Sequence, residues 1–368
     1  MTHLSVSRFP RVCVRALSKV APTVALTLAL VVAGTTVVTA PPAGAAPARD
    51  INQVRNQVRD LQDKAEAATE KYNEASGQLA EVQAKLKALK GRAAAQRKAY
   101  AQVTASVNDL ARSAYTSGGF DTGLQMLLAD DPNQFLQQAS SLQRVAASQT
   151  AALRRTQTAR LRLKQTEAEV ADKERIAQGF RDSMASAKRE ADSQLAAAQS
   201  ILNSLVASER RRLAALAAAE RRASSSAASA ARAQLLSQLG RNSSAMSPRA
   251  VAAVRYALGQ VGDRYIAAHA GPSSFDCSGL TLAAWRTAGV SLPHYSYSQF
   301  NKTRRIPLSQ ARPGDLLFYF KYGTHHVSMY IGNGKMVHAA NPSSGVIVTS
   351  VYDPWYSRRF SGVGRVAA

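Results

Sequence analysis

The sequence predicts an α+β domain that follows a long α-helical coiled-coil hairpin. From residue 51 to about residue 223 the chain consists largely of Ala, Gln, Arg, Lys, Glu and Leu. Apolar residues repeat there every three or four positions, which is the pattern of a coiled coil. From about residue 247 onward Gly, Pro, Tyr, Phe, His and Trp become frequent. That composition is typical of a packed domain, and 120 residues are enough for one core.

The first 45 residues have the features of an export signal. A basic segment with Arg8, Arg11 and Arg15 precedes the apolar stretch 20–38, and Ala43-Gly44-Ala45 offers a small-x-small cleavage site. We therefore predict a signal peptide over residues 1–45 and a secreted, cell wall-associated protein. An uncleaved membrane anchor is the alternative, because about 18 apolar residues can span a bilayer.

The net charge of +23 favours polyanionic partners. An exported protein rarely meets nucleic acid, so we expect anionic cell-wall polymers or membrane headgroups and no nucleic acid. A solvated basic surface without a partner is the alternative explanation.

The helical arm is predicted over residues 46–222. Ile51, Val58 and Ala65 begin one heptad series and Val54 begins the second, which indicates a left-handed coiled coil. The pattern stops at the glycine-rich segment 116–123, and a second helix restarts near Pro132. Two long helices around a break suggest an antiparallel hairpin, and a parallel dimer is the alternative.

Two further segments of the N-terminal region carry predictions. The apolar segments 124–129 and 135–142 flank the break, and they either cap the hairpin tip or offer a docking surface to a partner. Residues 223–247 are rich in Ser and Ala and are predicted to be the end of a weak helix and a flexible linker.

One cysteine of the C-terminal domain lies where a helix is predicted to begin. In the segment SSFDCSGLTLAAWRTAGV (273–290), Asp276 is a candidate cap, Leu280 and Ala284 form an apolar stripe, and Gly289 ends the helix. A helix N-terminus favours thiolate over thiol, which suits Cys277 as a nucleophile. The alternative is a buried, inert cysteine. An unpaired thiol in an oxidising compartment is a liability unless the protein uses it.

A thiolate nucleophile requires a base, and the base requires an orienting partner. The segment HVSMYIG alternates like a strand, Gly332-Asn333-Gly334 predicts a hairpin turn, and KMVHAA returns antiparallel. His326 and His338 are thus expected on neighbouring strands. A helix-start cysteine with a pair of sheet histidines is the arrangement of a papain-like thiol hydrolase.

A zinc site is the competing interpretation of the histidines. His269, His294, His325, His326 and His338 are the histidines after the signal. Acidic residues are scarce in this domain, and no His-x-His or His-Glu-x-x-His spacing is present. Neighbouring strand residues face opposite sides, so His325 is expected to be a surface or structural residue. We expect the reaction to need no metal and no organic cofactor.

The same residues identify a family resemblance. The motifs DCSGL, PGDL, HVSMYIG and VHA, in that order within residues 248–368, resemble those of the NlpC/P60 cysteine peptidases of bacterial cell walls. The resemblance implies a papain-like domain with an antiparallel sheet packed on helices. It also implies cleavage of peptidoglycan stem peptides, commonly between D-Glu and the diamino acid.

The resemblance assigns roles to individual residues. It implies Cys277 as nucleophile, His326 as base and His338 as the polar residue that orients the base. The resemblance also implies that four further residues line the substrate pocket: Tyr265, Asp276, Ser278 and Ser296. Of these, Tyr265 is implied to stabilise the oxyanion together with the backbone N–H of Cys277.

The sequence also departs from the family pattern. Residues 266–270 read IAAHA where a Trp and paired Gly are common, His294 stands where Arg is common, and Ser328 where Gly or Ala is usual. None of these departures affects the three implied catalytic residues, but the first two bear on substrate fit.

The order of signal, coiled-coil hairpin and catalytic domain is similar to that of actinobacterial cell-division wall hydrolases. The resemblance implies that the FtsEX complex engages the arm and relieves inhibition. Two other classes stay open. One is a non-catalytic scaffold that binds the wall, and the other is a thiol amidase or acyltransferase that uses the same three residues.

Overall fold

The computed structural model describes residues 50–116, 132–240 and 246–367. The predicted export signal and the apolar segment 124–129 lie outside the described residues. In the described part of the chain, no helix has the length and apolar character needed to cross a membrane.

Two long helices form the arm, α1 (Ile51–Thr116) and α2 (Pro132–Asn203). They run antiparallel, because Lys90 pairs with Glu174 at 2.7 Å and Arg97 pairs with Glu167 at 2.8 Å. The seam between them contains small apolar residues, which allow close helix approach: Ala93, Ala177, Ala187, Ala191 and Ala198. The two helices of one chain thus form the hairpin that the sequence suggested.

The chain turns at residues 204–206 and continues in α3 (Ala207–Gly240). This helix extends through most of segment 223–247, for which the sequence predicted the end of a weak helix and a flexible linker. Alanine is the best helix former, and the helix buries Ala228 and Leu235 against the C-terminal domain. The backbone N–H of Val348 donates a hydrogen bond to Ser224 Oγ at 2.8 Å. Packing on the domain therefore stabilises a helix that its serine content alone would leave weak.

The C-terminal domain is α+β, as predicted. Helix α4 begins after the cap residue Ser247, with Pro248 in its first turn. The helices are α4 (Pro248–Gly259), α5 (Cys277–Thr287), α6 (Ser296–Lys302) and α7 (Pro354–Ser357). The strands are β1 (Arg264–Tyr265), β2 (Ser274–Phe275), β3 (Arg304–Ile306), β4 (Leu316–Tyr319), β5 (His326–Gly332), β6 (Lys335–Asn341), β7 (Gly345–Ser350) and β8 (Phe360–Arg365).

Six of the strands form one antiparallel sheet in the order β3-β8-β4-β5-β6-β7. The predicted hairpin is present between β5 and β6, with Asn333 and Gly334 both at positive φ, as a tight hairpin turn requires. Strands β1 and β2 form a separate parallel pair.

The main core lies between the sheet and the helices α4 and α5. Leu258 of α4 and Leu280 and Ala284 of α5 are fully buried there, against Met329 and Val337 of the sheet. This packing fixes the start of α5 relative to β5 and β6, which carry the two histidines of interest.

Candidate active site

The structure places Cys277 at the first residue of α5. The Asp276 side chain caps this helix, and its Oδ1 accepts a hydrogen bond from the Gly279 backbone N–H at 2.6 Å. Cys277 is a free thiol with no exposed surface. The capped start of α5 therefore sets the position of the sulfur.

His326 and His338 lie on adjacent strands and contact each other. His326 Nε2 is 2.9 Å from His338 Nδ1, and His338 Nε2 is 3.0 Å from Thr349 Oγ1 on β7. A ring nitrogen of His326 lies within 4.8 Å of the Cys277 sulfur. The three residues that the resemblance nominated are thus brought together, and Thr349 extends the chain of contacts. No motif of the sequence pointed to Thr349.

The four residues implied for the substrate pocket are also buried near the sulfur. His294 Nε2 lies 2.8 Å and 3.0 Å from the two Asp276 oxygens. Ser278 and Ser296 have no exposed surface. Within the described residues, the Tyr265 hydroxyl and Ser296 Oγ are buried without a hydrogen-bond partner.

Helix α1 of the arm covers this site. Four of its side chains, spaced four, four and three residues apart, project from one helix face into the domain. They are Gln62, Glu66, Glu70 and Asn73, each 7% exposed or less. Such burial of polar side chains is uncommon on a surface helix and requires partners on the other side.

Each of the four side chains finds a partner in the domain. Gln62 Nε2 donates to Ser343 Oγ at 2.7 Å, and Asn73 Nδ2 donates to Asp276 Oδ2 at 3.0 Å. Glu66 Oε1 is 2.7 Å from His326 Nδ1.

Glu70 occupies the centre of the site. The Ser278 hydroxyl donates to Glu70 Oε1 at 2.7 Å, and the Ser296 backbone N–H donates to its other oxygen. Cys277 Sγ lies 3.7 Å from Glu70 Oε1. The carboxylate therefore fills the space in front of the sulfur that a substrate would need.

Burial and the α1 carboxylates change the protonation of the site. Burial raises the pKa of the Cys277 thiol well above its usual range, and the negative charges of Glu66, Glu70 and Asp276 raise it further. In this covered state the thiol is therefore protonated, although the sequence alone suggested a thiolate at the helix start. The partial charge of a helix end is too small to outweigh burial and several carboxylates.

The pKa values of Glu70, His326 and His338 also shift, each in the direction that its burial and its neighbours determine. Burial, with the nearby charge of Asp276, raises the pKa of Glu70 to about 7 against the opposing hydrogen bonds from Ser296 and Ser278. Burial lowers the pKa of His326, but Glu66 outweighs this effect and the net shift is upward. Burial, with the charge of His326, holds the pKa of His338 well below its usual range. His326 is thus the cation of the pair in this state, and His338 is neutral.

His325 takes no part in this chain of contacts. Its ring packs against Phe320 with a centroid distance of 4.4 Å and an interplanar angle of 41°, and burial lowers its pKa. Its backbone carbonyl lies 3.8 Å from Cys277 Sγ. The side chain is structural, which agrees with the expectation from the strand pattern.

A helix-start cysteine beside a histidine pair on an antiparallel sheet defines the papain-like class of thiol-dependent domains. Residues 260–365 match the model of the NlpC/P60 family, so this part of the chain is an NlpC/P60 domain.

Similar proteins include the peptidoglycan endopeptidase RipA of Mycobacterium tuberculosis, 49% identical over 82 residues, which are 22% of this chain and 17% of the relative. The probable endopeptidase p60 of Listeria monocytogenes is 42% identical over 97 residues, which are 26% of this chain and 20% of the relative. The chain therefore spans about a fifth of the length of these two relatives.

A solved structure of the P60 domain of a M. avium subspecies paratuberculosis antigen is 33% identical. The match covers 30% of this chain and 93% of that chain, with a TM-score of 0.26.

Proposed function

We propose that this protein is an exported peptidoglycan endopeptidase with thiol chemistry, and that α1 keeps it covered until the arm moves. The observation that carries the proposal is the position of Cys277 at the start of α5, beside the ordered contacts from His326 to His338 and Thr349. Two of its relatives carry the name of peptidoglycan endopeptidase or probable endopeptidase, which supports the same assignment.

The reaction follows from the roles of the three groups. The Cys277 thiol transfers its proton to His326, and the sulfur attacks the peptide carbonyl carbon to form a C–S bond. As the C–N bond breaks, His326 returns that proton to the leaving amine. Water, deprotonated by His326, then attacks the thioester carbon and releases the sulfur as thiolate. His338 holds the imidazole of His326 in the orientation that both proton transfers require.

The negative oxygen of each tetrahedral intermediate needs hydrogen-bond donors. The Tyr265 hydroxyl and the Cys277 backbone N–H are assigned this role. The buried Tyr265 hydroxyl has no hydrogen-bond partner within the described residues, so it is available to donate. Asp276, Ser278 and Ser296 are assigned to the substrate pocket, because they bind Asn73 and Glu70, the α1 side chains that now fill this space.

The finer assignments rest on the family resemblance. The bond cleaved is taken to be that between D-Glu and the diamino acid of the stem peptide. The arm is taken to place the enzyme and to receive a signal from the FtsEX complex during cell-wall remodelling and division. In that sequence of events, withdrawal of α1 removes Glu66 and Glu70, restores thiolate chemistry at Cys277 and opens the pocket.

The experiment is digestion of purified peptidoglycan, with mass analysis of the released fragments. Because α3 packs into the domain, the full chain is the appropriate material. Wild type is compared with the double variant Glu66→Lys/Glu70→Lys, in which two long cations replace carboxylates that point into the buried site. We expect little release by wild type and at least tenfold more by the double variant.

Two controls make the result decisive. Glu81→Lys changes the same charge on an exposed turn of α1, where Glu81 pairs with Lys85, and should leave digestion at the wild-type level. Adding Cys277→Ala to the double variant should abolish release. Release of fragments cut at the sugar–peptide link would favour an amidase instead. A double variant whose Cys277 is exposed to thiol reagents but which releases nothing would favour the wall-binding scaffold.

A further inference from the structure

The contact between α1 and the domain brings three types of metal-ligating side chain into one buried cluster. Glu66 of α1, Cys277 of α5 and His326 of β5 each place one ligand atom within 4.8 Å of the other two. None of the three side chains is more than 7% exposed. The cluster exists only while α1 lies on the domain, because one of its members belongs to the arm.

The histidine of the cluster is held as metal-ligating histidines are held. His326 Nε2 contacts His338 Nδ1 at 2.9 Å, and His338 in turn contacts Thr349 at 3.0 Å. In metal sites, a partner on the second ring nitrogen fixes the tautomer and directs the first nitrogen at the ion. His326 Nδ1 is that first nitrogen, and it faces Glu66 Oε1 at 2.7 Å.

The set of donor atoms suits zinc. Thiolate sulfur, imidazole nitrogen and carboxylate oxygen are the three ligand types that zinc takes in proteins. Ligand atoms of a tetrahedral zinc site lie roughly 3.3 to 3.6 Å apart, given the usual bond lengths to zinc. Small side-chain rotations would bring the three atoms to that spacing. Glu70, whose Oε1 is 3.7 Å from the sulfur, is placed to supply the fourth ligand.

We propose that the covered protein binds one Zn²⁺ ion through Cys277 Sγ, His326 Nδ1 and a Glu66 carboxylate oxygen. The ion takes the place of the proton between His326 and Glu66, and it displaces the thiol proton of Cys277. Cys277 and His326 belong to the domain, whereas Glu66 and the candidate fourth ligand Glu70 belong to the arm, so the ion binds the covered form best and holds α1 in place. The ion is thus inhibitory, and it is not part of the proposed hydrolysis.

The proposal deepens the proposed function, because it assigns a means of control to the same site, but it is tested without substrate. Metal-free full-length protein is titrated with Zn²⁺ by calorimetry and with Co²⁺ by absorption spectroscopy. We expect one ion per chain and a thiolate-to-cobalt band in the near ultraviolet that is absent from Cys277→Ser. We also expect Zn²⁺ to slow alkylation of Cys277 by iodoacetamide at least tenfold.

The deciding comparison is between two glutamates of α1. Glu66→Ala should weaken zinc binding at least tenfold, whereas Glu81→Ala, an exposed position on the same helix, should bind zinc as wild type does. Equal affinity in wild type and Glu66→Ala would overturn the proposal, because Glu66 would then not be a ligand of the ion. Failure of wild type to bind zinc, or a cobalt spectrum unchanged by Cys277→Ser, would also overturn it. These results do not depend on whether the protein cleaves peptidoglycan.

Discussion

At the scale of single residues, the neighbours of each ring nitrogen determine where His326 and His338 must carry hydrogen. For His326 to accept the thiol proton on Nδ1, its Nε2 must carry hydrogen and donate to His338 Nδ1. His338 must then carry hydrogen on Nε2, which faces Thr349 Oγ1. The hydroxyl of Thr349 on the neighbouring strand can accept that hydrogen, and this contact holds the ring of His338 in the orientation in which it receives the hydrogen bond of the base. Thr349 is a positioning residue that does not touch the reacting atoms.

This relay predicts a modest and specific effect of Thr349→Val. The substitution keeps the side-chain shape but removes the hydrogen-bond partner of His338 Nε2. We expect kcat to fall roughly tenfold, which is a part of the 10²- to 10⁴-fold that proton transfer by a side chain contributes. KM should stay the same, because Thr349 contacts His338 and lies outside the proposed pocket. Steady-state kinetics on a stem peptide, in the Glu66→Lys/Glu70→Lys background, measures both constants.

The matched control for this prediction is Thr349→Ser, which retains a hydroxyl at the same position. It should recover most of the lost kcat. If Thr349→Ser and Thr349→Val are equally slow, the effect comes from packing of the side chain, and the relay does not extend to Thr349.

At the scale of secondary-structure elements, α3 is part of the domain although it comes before the family match in sequence. Its Ser224 hydroxyl accepts a hydrogen bond from strand β7, and Ala228 and Leu235 join the core beside α4. Strand β7 is an edge of the six-stranded sheet, and an uncovered edge invites pairing with other chains. By covering this edge, α3 both stabilises the domain and protects strand β7 from pairing with other chains.

Two adjacent leucines of α3 test this role. Leu235 is 6% exposed and Leu236 is 62% exposed, so the same substitution samples both faces of one helix turn. Leu235→Ala should lower the free energy of unfolding of the domain by about 2 to 5 kcal/mol, the usual range for a buried leucine. Leu236→Ala should change it by no more than about 0.5 kcal/mol.

Urea unfolding followed by tryptophan fluorescence measures this difference. The two tryptophans of the chain, Trp285 and Trp355, both lie in the C-terminal domain. Trp285 is buried in the core and reports on the domain, whereas Trp355 also faces Arg59 of α1, so the variants are compared in the same full-length chain. Equal midpoints for the two variants would mean that α3 adds nothing to the stability of the domain.

At the scale of the whole molecule, the sequence predicted the parts that depend on local pattern. Cys277 at a helix start and His326 and His338 on a hairpin follow from capping, alternation and turn residues, each read within about 20 residues. The covering of the site by α1 depends on contacts between residues more than 200 positions apart, such as Glu70 and Ser278. Glutamates on a long helix are usually solvated, so their identity alone gave no reason to place them in a buried site.

One local signal could have indicated the docking face of α1. The segment AEAATE, residues 65–70, surrounds Glu66 and Glu70 with small side chains. Small residues allow the backbone of a helix to approach another surface closely, and Ala65, Ala68 and Thr69 are buried in the structure. The linker prediction for 223–247 differs from the structure for a related reason, because the burial of α3 could not be read from its own composition.

The charge of the whole chain leads to the last prediction, which concerns binding to the wall. The chain as a whole carries a net charge of +23. The first half of α3, residues 207–222, contains two glutamates and five exposed arginines, which are Arg210, Arg211, Arg212, Arg221 and Arg222. Attraction between such a surface and anionic wall polymers is screened by salt, because the Debye length falls from about 10 Å at 0.1 M to about 3 Å at 1 M. The Cys277→Ala chain, which leaves the wall intact, should therefore bind purified walls at low salt and be released as salt is raised.

Sedimentation of walls with bound protein measures this binding, with walls stripped of anionic polymers as the control. Replacing Arg210, Arg211 and Arg212 by Gln should weaken binding to intact walls and leave the smaller binding to stripped walls unchanged. Binding that is independent of salt would instead indicate recognition of uncharged wall groups, and the basic surface would then be a solvated face without a polymer partner.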